Sequence, residues 1–242
     1  MKTTNHPALE PFGNALLAYW RGDRDARLDH EYRSGRIASI PVSEFFRSPE
    51  AFYPTEKVLP WCRGRILVVG AGSGVHAVTL QASGHEVTAV EVSPQAVEIL
   101  SERGITDIRQ CDFFEMPEEA FDTILMLGHT IGICETVSRI PVLLSTCASL
   151  LAPEGQLLAN SVDEALNQGS TDSPGYPGEL EFRLSFKGRT GPWMRWLHVD
   201  FDTLSEKASG CGWHTEELEK TENGEFLARL YPVSHMASLK HL

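Results

Sequence analysis

The chain has 242 residues, enough for one generous α/β domain or for a core of about 170 residues with terminal additions. It is 42% hydrophobic and 22% charged, as globular proteins are, and its net charge of −12 repels phosphate backbones and anionic lipid, which argues against nucleic-acid and membrane partners. Met1 to Glu10 carries no apolar targeting core, no uncharged stretch approaches bilayer length, and Cys62, Cys111, Cys134, Cys147 and Cys211 form no C-x-x-C pair; a soluble cytoplasmic protein without disulfides or a metal site is expected.

Residues 14–20 read as a short amphipathic helix, and 21–36 mix charges without clear periodicity. Residues 41–54 are aromatic and punctuated by proline, with Phe45, Phe46, Phe52 and Tyr53 between Pro41 and Pro54. This N-terminal segment, 1–54, is expected to form a helical cap or lid on a domain running from 55 to 242. In that domain Ile66 to Val69 is a continuous apolar run ending in glycine, the mark of a strand buried on both faces of a parallel sheet. A helix over 75–82 and a strand over 87–90 follow. Ser93-Pro94 then opens a helix with Ser at the N-cap and Pro at the first helical position, and Gly104 stops it. Strands over 105–109 and 122–127, a helix over 141–151 and a strand over 155–161 complete the alternation, which predicts βαβ units in a doubly wound sheet.

The pattern changes after Asp163. Residues 164–178 are rich in Gly, Ser and Pro and read as a loop. Leu180, Phe182, Leu184 and Phe186 alternate with polar neighbours as a half-buried strand, and 193–199 is placed to pair with it across Gly188–Gly191. Residues 164–199 are therefore read as an insertion. A helix over 201–209 precedes a closing hairpin, 217–221 and 226–231, whose Asn223-Gly224 is read as the source of positive φ angles for a tight turn.

The chemistry concentrates between 66 and 130. Gly70-Ala71-Gly72-Ser73-Gly74 lets backbone pass close to a nucleotide-like ligand, with a helix N-terminus facing it. Val75 stands where a dinucleotide fold wants glycine or alanine, and no lysine is present for a phosphate-cradling loop, so the spacing suits a cofactor without a pyrophosphate. Glu91 closes the second strand about twenty residues beyond Gly70, where an acid can accept from both ribose hydroxyls. Asp112 follows the third strand and can accept from an adenine amino group, with Phe113 packing on the ring.

The segments ILVVGAGSG, VTAVEVS, CDFF, FDTILMLG and LLAPEGQLLANS resemble class I (Rossmann-like) S-adenosylmethionine-dependent methyltransferases over about residues 55–163. The closing hairpin is similar to that family's usual ending. The resemblance implies an α/β fold with a mostly parallel seven-stranded sheet flanked by helices, and S-adenosyl-L-methionine as cofactor, leaving as S-adenosyl-L-homocysteine. It implies that Gly70, Ala71, Gly72 and Gly74 line the methionine part, Glu91 and Val92 the ribose, and Cys111, Asp112 and Phe113 the adenine end. Leu127 and Gly128, after the fourth strand, would add backbone contacts. Val68-Val69 stand where the family more often carries an acid, which removes one polar contact to the cofactor's amino group.

Methyl transfer from a sulfonium requires alignment and desolvation, and a base only where the nucleophile must lose a proton. Ligands in such sheets bind beyond the carboxyl ends of the strands. His129, just past the fourth strand, is the first candidate base, or else a ring packing beside the cofactor. Asp163, past the fifth strand, is a second candidate for base or amine contact, or else a helix cap. Tyr53 is a third, on a lid whose aromatic residues would favour an apolar acceptor. His76 reads as structural and His198 as packing; Trp193 and Trp196 read as core or else as pocket lining, and Tyr176 to Glu179 as a turn or else as a segment folding over the site. The substrate expected is a small molecule methylated on nitrogen or oxygen, by a monomer or a homodimer. Two alternatives stay open: a non-catalytic S-adenosylmethionine-binding protein, and an NAD(P)-dependent oxidoreductase on the same sheet, whose Tyr-x-x-x-Lys pair appears here only as Tyr53 and Lys57 ahead of the glycine loop. The post-strand sequence LGHT disfavours methyltransferases that carry Asn-Pro-Pro-aromatic there.

Overall fold

A computed structural model describes residues 6–168 and 175–236. In chain order the main elements are α1 (Glu10–Trp20), β1 (Arg27–Tyr32), β2 (Ile37–Pro41), β3 (Arg65–Val69), α2 (Val75–Ala82), β4 (Glu86–Glu91), α3 (Pro94–Glu102), β5 (Asp107–Gln110) and β6 (Phe121–Met126). They continue with α4 (Ile140–Leu150), β7 (Leu151–Val162), α5 (Glu164–Gln168), β8 (Glu179–Phe186), β9 (Arg189–Thr190), β10 (Met194–Leu197), α6 (Phe201–Gly210), β11 (Trp213–Lys220) and β12 (Glu225–Pro232).

Seven strands form one sheet in the order β11-β12-β7-β6-β3-β4-β5. β4 and β5 pair in parallel, as do β6 and β7, whereas β12 lies antiparallel between β7 and β11. The doubly wound, mostly parallel sheet with a closing antiparallel hairpin is thus present. The parallel strands are buried on both faces: Ile66, Leu67, Ile124, Leu125, Leu157 and Leu158 are fully inaccessible, which is why their sequences are apolar runs and not alternations. Helix starts follow the side chains that cap them. Ser93 Oγ accepts the Ala96 N–H at 3.3 Å ahead of Pro94, and Asp200 Oδ1 accepts the Thr203 N–H at 2.8 Å.

The segment before β3 and the segment after Asp163 hold a second sheet, in the order β10-β8-β1-β2 with β9 beside β8. Antiparallel register sets His30 against Leu184 and Tyr32 against Phe182. The N-terminal helix is present, but β1 lies where the charges show no periodicity, and β2 follows directly after that stretch. β1 has one fully buried residue, Leu28, and its later positions are half-buried on both faces, so no apolar alternation marks it.

Two further expectations are corrected. Residues 164–168 form the short helix α5 and not loop, because Asp163 Oδ1 accepts the Ala165 N–H at 2.9 Å; residues 169–174 of the expected loop lie outside the described residues. The closing turn spans Thr221 to Gly224 and takes positive φ at Gly224 alone, not at Asn223 as well. Gly224 N–H donates to Thr221 O at 3.0 Å and Thr221 N–H to Glu225 O at 2.8 Å, the three-residue hairpin that needs one left-handed residue.

The chain divides into two compact units. One comprises Met1–Phe52, Val68–Met116 and Glu181–Met194; the other comprises Tyr53–Leu67, Pro117–Leu180 and Arg195–Leu242. In the first, α1 packs on α3, and Trp20 Nε1 donates to Glu102 at 2.7 Å. Phe46 stacks on Tyr19 and Trp20, with ring centroids at 4.8 and 6.1 Å, and Phe45 meets Phe12 edge-on at 5.1 Å. These aromatics therefore serve the packing of the N-terminal segment itself. In the second unit, α4 and α6 pack together and α6 lies on β11 and β12. Among the described residues no helix is long and apolar enough to cross a membrane.

Candidate functional site

The strand order reverses at β3, whose carboxyl end carries the glycine loop. Gly70, Gly72 and Gly74 have φ of +62°, +54° and +80°, left-handed values that glycine adopts without the steric penalty of a Cβ. Gly70 N–H bonds Val90 O at 2.9 Å, fixing the loop to the end of β4, and Gly74 caps α2. Ala71 lies half-buried between them.

Glu91 ends β4 and is 6% exposed. Its Oε2 accepts the Gly72 N–H at 2.8 Å, and its Oε1 accepts the N–H groups of Val92 and Ser93 at 2.8 and 2.9 Å. Burial raises this carboxyl's pKa, and the three N–H bonds oppose the rise by favouring the anion. One side chain thus holds both the glycine loop and the start of α3 in place. The Ser73 hydroxyl donates to the Phe45 carbonyl, and Arg103 donates to Ser73 O at 2.8 Å, joining the N-terminal segment to the same loop. At the end of β5, Asp112 Oδ1 accepts the Phe114 N–H at 2.9 Å and so caps the turn over 113–115. Cys111 and Phe113 flank it in the core, and burial pushes the Cys111 thiol up. His76, read as structural, has its ring 4.6 Å from that of Phe52.

A second cluster lies in the other unit, around His129. Leu127 is buried and its carbonyl accepts the Thr130 hydroxyl at 2.6 Å, while Gly128 is exposed with φ of +66°. His129 itself has φ of +60°, a left-handed conformation costing about 1 kcal/mol in a non-glycine residue, of the kind that concentrates at functional sites. Its N–H donates to Asn160 Oδ1 at 3.0 Å, and its Nε2 stands 3.4 Å from Glu225 Oε1. The same Glu225 oxygen accepts the Thr55 hydroxyl at 2.6 Å and the Asn160 amide at 3.4 Å. His198 meets His129 edge-to-face, with ring centroids 5.0 Å apart, and its Nδ1 bonds Glu164 Oε1. Glu164 and Glu225 are each 9% exposed. Burial lowers the His198 pKa, with Glu164 opposing that shift.

Sequence reasoning singled out His129 and missed Thr55, Asn160, Glu164 and Glu225 around it. One signal was readable: Asn160-Ser161 interrupts the otherwise apolar end of β7, and both are fully inaccessible. His198, read as packing, is drawn into the cluster. Asp163 caps α5 with one carboxylate oxygen, and Tyr53, 46% exposed, precedes the turn over 54–56. Among the described residues no three His, Cys, Asp or Glu side chains converge as a metal site.

A family model described as a methyltransferase domain matches residues 66–155. A SAM-dependent methyltransferase from Bacteroides fragilis, solved in complex with S-adenosyl-L-homocysteine, is 33% identical and covers 95% of this chain and 97% of its own, with a TM-score of 0.85. Ubiquinone biosynthesis O-methyltransferases from Agrobacterium fabrum and Xylella fastidiosa are 24% and 25% identical over 68% and 46% of this chain. The chain spans 66% and 46% of the lengths of those two curated relatives. At 15% identity and a TM-score of 0.54, the glycopeptide N-methyltransferase MtfA shares the fold. The chain belongs to the SAM-dependent methyltransferase family.

Proposed function

We propose that the protein transfers a methyl group from S-adenosyl-L-methionine to a nitrogen or oxygen of a small molecule, in the cytoplasm. The observation that carries the reading is the Glu91-pinned glycine loop, in a chain 33% identical to a methyltransferase solved with S-adenosyl-L-homocysteine. The residues fit that group. A Cβ added at Gly72 would meet nothing nearer than Gly70 O at 3.8 Å, so the loop offers bare backbone to a ligand. Gly70, Ala71, Gly72 and Gly74 would hold the methionine part, Glu91 and Val92 the ribose, Cys111, Asp112 and Phe113 the adenine, and Leu127 and Gly128 further backbone contacts.

When bound, the cofactor supplies a methyl group already activated on a sulfonium sulfur. His129 would act as the base: with Glu225 accepting from Nε2–H, the lone pair at Nδ1 is left to take the proton that the acceptor atom loses. Asp163 and Tyr53 orient the acceptor. The O-methyltransferase relatives and the N-methyltransferase neighbour keep both acceptor atoms open.

Calorimetric titration with S-adenosyl-L-homocysteine, with NADH and NADP⁺ as controls, tests the reading. Micromolar binding of the thioether, lost in Glu91→Ala, is expected. Heat from a nicotinamide alone would leave only the fold standing.

A further inference from the structure

We propose that Glu164 and His198 are positioning residues for His129, forming a second carboxylate–imidazole pair that holds the His129 ring and supports the positive charge it gains on taking a proton. The inference rests on His129 being the base of a methyltransferase. It goes beyond that reading by giving a role to two side chains from separate elements.

The cluster consists of two pairs set against each other. In one, Glu225 on β12 faces His129 Nε2 at 3.4 Å. In the other, Glu164 on α5 faces His198 Nδ1. The rings meet at 78° with centroids 5.0 Å apart, so the edge of one rests on the face of the other and neither can rotate without displacing its neighbour. His198 is held independently of its ring. Its N–H donates to Gly178 O at 2.8 Å, and the next N–H, of Val199, donates to Ser161 Oγ at 2.9 Å. The approach to Gly178 is so close that a Cβ there would lie 1.7 Å from the His198 carbonyl oxygen. A ring anchored in this way is a rigid wall for His129, whose own backbone is held left-handed by Asn160.

Among the described residues the titratable groups facing His198 are Glu164 and His129, and those facing His129 are Glu225 and His198. Burial lowers the His198 pKa and so favours the neutral ring; its Nδ1–H then donates to Glu164, and the ring passes the polarisation of that carboxyl group toward His129. The proton taken in methyl transfer then settles on His129, between Glu225 in direct contact and Glu164 acting through His198. His198 takes no proton in the reaction.

Imidazole ¹⁵N NMR of the full chain with S-adenosyl-L-homocysteine, titrated from pH 8 to about pH 5, reads tautomers and protonation directly. In the wild type His198 should be the Nδ1–H tautomer and His129 the Nε2–H tautomer. Glu164→Gln should lower the proton affinity of His129 about threefold to tenfold, the scale of one partly screened charge lost nearby. His198→Gln should leave His129 as a mixture of tautomers. An Nε2–H tautomer for His198 in the wild type, which requires no variant to fold, would overturn the proposal. So would an unchanged His129 in both variants. Failure of the wild type to bind S-adenosyl-L-homocysteine would instead remove the underlying methyltransferase reading.

Discussion

His30 provides a quantitative test of the second sheet. It lies on β1 opposite Leu184 of β8, with its ring 5.4 Å from that of Phe182. Burial lowers its pKa from 6.5 to about 4, outweighing the Leu28 carbonyl and Asp29, which favour the charged form. A depressed histidine contributes nothing to acid sensitivity above pH 6.5, where both states are neutral. As pH falls below that, the unfolded chain takes up a proton that the native state refuses, and stability is lost until the pH reaches about 4. At pH 5 the two pKa values give a loss of about 2 kcal/mol, and below pH 4 about 3 kcal/mol. His30→Leu keeps a side chain of similar volume and abolishes the linkage. Urea unfolding of both proteins at pH 7.5 and pH 5.0 isolates the effect, because every other titrating group is common to both and cancels in the double difference. The wild type should lose about 2 kcal/mol more than the variant between the two pH values. Equal losses would mean that His30 is solvated in the native state, and that β8 does not close over β1.

Three further outcomes follow from the site. Gly74→Ala combines φ of +80° with a Cβ only 2.6 Å from Leu100 Cδ2 and should cost about 2 kcal/mol or more, whereas Gly72→Ala, at φ of +54° in open space, should cost about 1 kcal/mol; indistinguishable denaturation midpoints would contradict the loop geometry. Asn160→Leu strands the His129 N–H and removes a donor from Glu225, so it should destabilise by about 2–4 kcal/mol, and a change within about 0.5 kcal/mol would show that the network is solvated. Tyr53→Ala, at an exposed position, should leave stability and S-adenosyl-L-homocysteine affinity unchanged while raising the KM of the methyl acceptor; equal loss of both affinities would remove Tyr53 from acceptor binding.

The glycine loop, Glu91 and Asp112 were legible because everything that marks them is local. A buried parallel strand is an apolar run, its end is a glycine, and an acid one strand later stands at a fixed offset. β1 was not legible for an equally physical reason. Its sequence, Arg27 to Tyr32, places long polar side chains on both half-buried faces, where ion pairs such as Arg183 with Glu31 at 2.8 Å replace apolar contact. Such strands lack the period-2 contrast on which the reading depends. The cluster around His129 failed to show for a third reason. Thr55, His129, Glu164, His198 and Glu225 are single polar residues far apart in the chain, and no spacing rule joins them.

Strand register unites that cluster, and it ties the cluster to the closing hairpin. β12 pairs antiparallel with β7 so that Glu225 lies opposite Val162 and Leu227 opposite Asn160. Positions two apart share a face, so Glu225 and Asn160 become diagonal neighbours on one side of the sheet, within reach of a 3.4 Å hydrogen bond. A slip of one residue would turn Glu225 to the opposite face and bring an apolar side chain against His129. The slip is opposed from both ends. Phe226, Leu227, Ala228 and Leu230 are all buried in the present register, and the turn at Thr221 to Gly224 fixes where β12 begins. The apolar residues of β12 therefore set the position of a carboxylate that they never touch chemically, and the His129 ring proposed as the base inherits its orientation from the packing of the sheet.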